Sequence, residues 1–356
     1  NDFSKMIMMP VVFVIAEIIR ENFLFGFPWI TFALVASANY VFLQIAYFIG
    51  TYGLSYVVIS LFLFPSIIIL LMQNVSVYHL RIYITISIFV FLVLFILVFT
   101  RINFAENSFN YNEINLSLNQ VNVNPLDKSN DLTKKERFIE IIETVKKGGN
   151  YLFIFSETDY PYVIENDNIV NVFQNLLTKD QLIIIGGIRK DLKEYYNSMY
   201  LITKNSFQVF DKKILVPFGE FLPFRNSLNF LEAIAGSSDF SIGKKNRLIN
   251  LYKNLDFVPV ICYEIIFFND LLEKINNKSP LIINITNDAW FGKHSGPYQH
   301  FYLSRIRSVE FNKFLIRVSN NGITAVIDNY GQIIEFIPLN IKNQKNISII
   351  IPQELY

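Results

Sequence analysis

From Asn22 to His79 the chain contains no Asp, Glu, Lys or Arg, although charged residues make up 17% of the whole sequence. No soluble fold of 356 residues has a use for so long an uncharged stretch at its surface, so this region belongs in a membrane. The clearest spanning segment follows it: Ile82 to Thr100 is apolar or hydroxylic throughout and is bounded by Arg81 and Arg101. At ~1.5 Å per residue such a run crosses a hydrocarbon core of ~30 Å. Ile30 to Ile49 and Leu54 to Gln73 are read as two further spanning helices, joined at Gly50 to Gly53. The second contains Pro65, which membrane helices tolerate. Met6 to Ile19 is shorter and carries Glu17, with Arg20 and Glu21 after it. It is either a spanning helix with a functional carboxylate or one that ends at the interface, because a charge at the bilayer centre costs ~2.5 kcal/mol or more. Residues 1–100 are therefore expected to form an all-α transmembrane domain.

After Arg101 the composition becomes that of a globular protein, and short apolar runs alternate with amphipathic ones. Strands are expected at Ile114 to Val123, Tyr151 to Phe155, Gln181 to Ile188, Ser198 to Thr203, Phe257 to Tyr263, Leu281 to Thr286, Phe314 to Val318, Ala325 to Asp328 and Ile347 to Ile351. Helices are expected at Thr133 to Lys147, Asn168 to Leu177, Asn269 to Ile275 and Gln299 to Asn312. This alternation predicts an α/β layered domain over residues 113–353. A formal net charge of +1 gives nucleic acid nothing to bind. One cysteine, Cys262, and three scattered histidines exclude a disulfide framework and a metal cluster of familiar spacing, so no metal and no cofactor is expected.

Cys262 closes the apolar run Phe257 to Ile261, and in open α/β sheets reactive groups gather beyond the carboxyl ends of strands. A lone cysteine is ordinarily a small buried hydrophobe. To act as a nucleophile it needs a base or a cation nearby, since its free pKa is ~8.5. Glu157 occupies the equivalent place after the apolar run Tyr151 to Phe155, where partial desolvation suits a general base; a carboxylate that merely faces water would stand there equally well. Lys212 opens a segment that runs through Pro217 and Gly219 to Glu220. An ammonium near the thiol would stabilise a thiolate and a developing oxyanion, whereas two adjacent lysines are ordinarily a solvated turn.

Taken in order, these strings resemble apolipoprotein N-acyltransferase, the membrane enzyme of bacterial lipoprotein maturation. The resemblance rests on Gly26-Phe27-Pro28-Trp29, Ser156-Glu157, Val216-Pro217-Phe218-Gly219-Glu220-Phe221 and Ile261-Cys262-Tyr263-Glu264-Ile265. It continues through Asn287-Asp288-Ala289-Trp290-Phe291-Gly292, Gly296-Pro297, Gln299-His300-Phe301 and Ser319 to Val326. It implies a nitrilase-like αββα sandwich preceded by the transmembrane helices, on the outer face of a bacterial inner membrane. It also implies a Glu, Lys, Cys triad, which falls on Glu157, Lys212 and Cys262. Lys212 is preferred to Lys213 because the family's lysine lies eight residues before the glutamate at Glu220. Glu220 would then orient the lysine, Glu264 support the nucleophile, and the Tyr263 backbone N–H serve the oxyanion. Phe221, Trp290, Phe291 and Trp29 are the candidate substrate-binding residues. Phe221 to Phe224 together with Leu228 to Ala235 is expected to be a mobile lid.

The implied partners are a phospholipid acyl donor, a diacylglyceryl apolipoprotein acceptor and the bilayer. Family members usually carry more spanning helices before Gly26 and one after the catalytic domain, so the sequence is expected to be either incomplete or a shortened variant. A membrane-tethered hydrolase of C–N bonds would use the same three residues with water as acceptor. A transporter or receptor would need none of them, and a Cys262–His300 pair would replace two.

Overall fold

The computed structural model describes residues 2–74, 77–103, 111–124, 130–149, 151–225, 239–244, 247–252, 255–267, 271 and 279–352. The chain opens with helix α1 (Asp2–Asn22), followed by α2 (Ala33–Ser37), α3 (Tyr40–Leu43), α4 (Ile45–Asn74) and α5 (Val77–Asn103). Two of these are long and apolar enough to cross a membrane, over Ile45–Gln73 and Leu80–Asn103. In the most apolar stretch of each, 39% of residues are buried in the first and 6% in the second, so α5 leaves nearly its whole surface for lipid.

The expected helix from Ile30 to Ile49 is absent. Asn39 breaks it by accepting the amides of Val41 and Phe42 at 3.0 and 3.1 Å, which caps α3 and starts a new helix. Gly50, at φ 68°, then kinks α4 five residues after its start. Hydropathy registers apolar length, not the side-chain caps that divide it. The segment Met6 to Ile19 lies within α1, where Glu17 is buried and its Oε1 accepts the Phe32 amide at 2.8 Å, at the start of α2. That carboxylate caps a helix end.

The remainder is built on two sheets. The first runs β13 (Asn343–Pro352), β1 (Tyr111–Gln120), β2 (Leu152–Ile154), β4 (Leu182–Asp191), β5 (Glu194–Thr203) and β6 (Phe207–Asp211), with β3 (Ile164–Glu165) also on β4. The second runs β12 (Ile333–Ile337), β11 (Thr324–Ile327), β10 (Phe314–Ser319), β9 (Leu281–Thr286), β8 (Leu255–Ile261) and β7 (Ile249–Tyr252). Both have parallel centres, β1-β2-β4 and β8-β9-β10, flanked by antiparallel strands. Side chains of period two divide the core. Leu152, Ile154 and Ile184 face the second sheet's Phe257, Ile283 and Ile316 in one large cluster, which continues to Trp29 and Leu43 of the helical part. Phe153, Phe155, Ile183 and Ile185 face the other way, under α6 (Asp131–Lys147) and α7 (Asn168–Leu176). Helix α8 (Ser295–Glu310) packs on β10 and completes the αββα layering.

Most expected elements stand within a few residues, and β9 coincides with Leu281 to Thr286. The strand expected from Phe257 to Tyr263 stops at Ile261, because Cys262 takes a left-handed conformation (φ 52°) and leads into a 3₁₀ turn, Cys262–Ile266. The helix expected at Asn269 to Ile275 lies outside the described residues apart from Leu271.

Candidate active site

Three loops at the carboxyl ends of strands meet beside the helical part. The first follows β2. Asp159 pins it: Oδ2 accepts the Ser156 amide and hydroxyl at 2.6 and 2.8 Å, and Oδ1 pairs with buried Arg137 at 3.2 Å. Gly186 of β4 passes beneath, where a Cβ would lie 2.8 Å from Glu157 Cα, so only glycine lets the loop settle this low. Glu157 is 5% exposed, and its Oε1 accepts Asn197 Nδ2 at 2.7 Å and stands 3.5 Å from Lys212 Nζ.

The second loop follows β6. Lys212 is buried, anchored through its amide to Asn197 O at 2.8 Å, and its Nζ lies 2.8 Å from Glu220 Oε2. Asn197 also donates to Glu220 Oε1 at 2.7 Å and so holds both carboxylates around one ammonium. Burial opposes the charge of Lys212, but Glu220 and Glu157 outweigh it and raise its pKa above the ordinary lysine value. The cation is therefore permanent at neutral pH. Of the two adjacent lysines, Lys212 is the one between the carboxylates; Lys213 offers its backbone N–H to Glu264 Oε1 at 2.7 Å.

The third loop carries Cys262, which is 4% exposed and the sole cysteine of the chain. Burial raises its thiol pKa, and the Glu157 charge raises it further. Lys212, the Thr286 hydroxyl and the Asn287 amide pull in the opposite direction. Glutamate, ammonium and thiol are thus electrostatically coupled. Glu264 does not reach this centre. Its Oε2 accepts the Ile261 amide at 2.8 Å, its Oε1 accepts the amides of Lys213 and Ile214, and Arg247 closes a fully buried ion pair on it at 2.7 Å. It ties the cysteine turn to the lysine loop.

Tyr263 faces the helical part, where its hydroxyl donates to Gly26 O at 3.1 Å and its ring stacks on Phe27. Gly26 lies at φ 67°, and a Cβ there would meet Glu21 O at 2.2 Å, so this turn too requires glycine. Trp29 is buried against Phe291, with ring centroids 4.5 Å apart, and its Nε1 donates to Gln299 Oε1 at 2.8 Å. Phe221 and Phe224 pack edge-on to Phe25. Trp290 differs from its neighbour: it is 75% exposed and belongs to no packed wall. Of the expected lid, Phe221 to Phe224 is in place, and Leu228 to Ala235 lies outside the described residues.

His300 is fully buried, its Nδ1 2.8 Å from Asp288 Oδ1. Burial, then the nearby Arg317 cation, lowers its pKa, and it meets Cys262 at the main chain. Its Nδ1 is thereby tied to Asp288, and the charges that act on the thiol are those of Glu157 and Lys212. Asn197 and Arg247 were not legible beforehand: a single Asn inside a strand and a single Arg after a lysine pair carry no pattern. Among the described residues no group of three or more His, Cys, Asp or Glu is arranged to hold a metal ion.

Comparisons with known proteins match both parts. The carbon-nitrogen hydrolase family model matches residues 119–351, and the model of the apolipoprotein N-acyltransferase N-terminal domain matches residues 3–63. Proteins named apolipoprotein N-acyltransferase from Rickettsia prowazekii and Rickettsia typhi are each 33% identical, over 100% of this chain and 71% of their own length. One from Rhizobium rhizogenes is 37% identical over 53% of this chain and 38% of its own. Among solved structures, a Saccharomyces cerevisiae member of the nitrilase superfamily has a TM-score of 0.48 at 19% identity, covering 68% of this chain and 91% of its own. A carbon-nitrogen hydrolase from Helicobacter pylori has 0.49 at 14%, covering 67% and 89%.

Proposed function

Because the chain belongs to the apolipoprotein N-acyltransferase family, we propose that it moves a fatty acyl group from a phospholipid, through a thioester on Cys262, to the N-terminal α-amine of a diacylglyceryl-cysteine apolipoprotein. The observation that carries this reading is the meeting of Glu157, Lys212 and Cys262 beside the Gly26 to Trp29 turn of the helical part. In this reading residues 1–100 are the membrane domain and 113–353 the catalytic domain. The catalytic domain stands on the outer face of a bacterial inner membrane, and the acyl chain arrives past Phe221, Phe291 and Trp29.

Glu157 takes the proton of Cys262 as the sulfur attacks the ester carbonyl of the lipid. Because burial holds the thiol protonated at rest, proton removal and attack proceed together. Charge developing on the carbonyl oxygen is met by Lys212 and by the Tyr263 amide. The C–O bond breaks, the proton passes to the leaving alkoxide, and a lysophospholipid departs from the acyl-thioester. The acceptor amine then attacks the thioester, Glu157 takes a proton from its nitrogen, and the thiol is restored as the amide forms. Such a cycle is ping-pong. A single turnover with acyl-labelled phospholipid, followed by peptide mapping, is expected to leave one label, on the Cys262 peptide. Adding a diacylglyceryl lipopeptide should discharge it to the amine. No label on Cys262 refutes the mechanism, and discharge to water at the same rate with or without lipopeptide makes the protein a hydrolase.

A further inference from the structure

Thr286 ends β9 directly beside the strand that delivers the nucleophile. β8 and β9 are parallel with Ile261 opposite Ile285, so Cys262, the first residue past β8, follows beside Thr286, the last residue of β9, which is still paired with Ser319 of β10. Thr286 is fully buried, and its Oγ1 lies 3.2 Å from Asp288 Oδ1, to which it donates. Asp288 does not depend on that bond. Its Oδ1 also meets His300 Nδ1 at 2.8 Å, and its Oδ2 holds Arg317 at 2.6 Å. The carboxylate is thus already paired, and a long hydrogen bond from a neutral hydroxyl adds little to it.

We propose that Thr286 is a hydrogen-bond donor to the nucleophile, its hydroxyl turning from Asp288 to the Cys262 sulfur as the thiol loses its proton. The hydroxyl has one hydrogen and two acceptors. While the thiol is protonated, the better acceptor is the carboxylate; once the sulfur is anionic, a charge-assisted bond to it is the stronger. The other groups that act on the sulfur come from every side: Glu157 after β2, Lys212 after β6, and the Asn287 amide after β9. His300 of α8 meets the main chain of Cys262, and Asp288 stands behind Thr286. Lys212 is shared by two carboxylates and is also needed by the oxyanion. A donor on the sulfur from β9 frees the ammonium for that second charge.

The inference rests on Cys262 being the nucleophile, but its test needs no acyl donor or acceptor. Because the chain has one cysteine, alkylation by iodoacetamide reports Cys262 alone. The full chain is compared in detergent with Thr286→Val, Thr286→Ser and Thr286→Ala. Thr and Val share a shape, and Ser and Ala share a size, so the hydroxyl is read twice, and the second pair decides should Val fail to fold. Val and Ala are expected to alkylate about tenfold more slowly at neutral pH, their rate profiles displaced by about one pH unit, with Ser within about twofold of wild type. Wild-type rates in Val and Ala, or a Ser variant as slow as Ala, overturn the proposal. A wild-type thiol inert to alkylation at every pH would instead sink the nucleophile assignment itself.

Discussion

The two sheets supply the site with different kinds of charge. From the first come Glu157, Lys212 and Glu220, whose charges gather around the one ammonium and are held there by Asn197. From the second comes Cys262, surrounded by charges that are spent on one another: Arg247 on Glu264, Arg317 on Asp288. The first set is electrostatically poised, since the lysine faces two carboxylates and a thiol. The second is already compensated, and its ion pairs serve to fix a turn in which Cys262 holds a left-handed backbone. On the function proposed above, the same residue types act as chemistry on one side and as scaffold on the other.

Substitutions should separate these roles, most sharply at the first set. Glu157→Gln keeps shape and hydrogen bonding but removes the base, and acyl transfer is expected to fall by about 10⁴-fold with the melting temperature nearly unchanged. A Gln variant with more than a tenth of wild-type activity would merge the two classes. Arg247→Met should do the reverse. It strands Glu264 as an unpaired buried charge at the cost of about 3–5 kcal/mol, read as a lower denaturation midpoint, with activity lost only as the turn loosens. An Arg247→Met protein as stable as wild type would show that the pair is not what fixes the cysteine.

This division explains what the sequence disclosed. Glu157 and Cys262 each follow an apolar run, so the strand-end rule found them from local pattern. Lys212 needed the count to Glu220, because nothing local distinguishes it from Lys213. Asn197 and Arg247 are defined only by partners brought up in the fold: Asn197 is 40 residues from Glu157, and Arg247 is 17 from Glu264. The helical part taught a parallel lesson, since an uncharged run gave the right environment while the Asn39 cap and the Gly50 kink decided where helices begin. Trp290 was named with Phe291 from their shared motif, and the motif did not reveal that Trp290 stands exposed while Phe291 packs.

The smallest expected effect tests the poised set through pH. Lys212 and Cys262 both have folded pKa values above their ordinary ones of 10.5 and 9.0. A raised pKa means that the folded state keeps a proton which the unfolded chain releases, so the stabilisation is whole below the unfolded value and is lost as pH rises towards the folded one. Stability should accordingly begin to fall near pH 9 for the thiol and steepen above pH 10.5 for the ammonium, by at most ~1.4 kcal/mol per pH unit for each group. Cys262→Ala removes the earlier limb and should make the slope between pH 9 and 10 shallower, leaving the part contributed by buried tyrosines such as Tyr200 and Tyr263, whose pKa values burial also raises. Denaturation midpoints across that interval would measure it. A slope unchanged by the substitution would place the released proton elsewhere and would mean that the thiol is less strongly held neutral than its burial beside Glu157 requires.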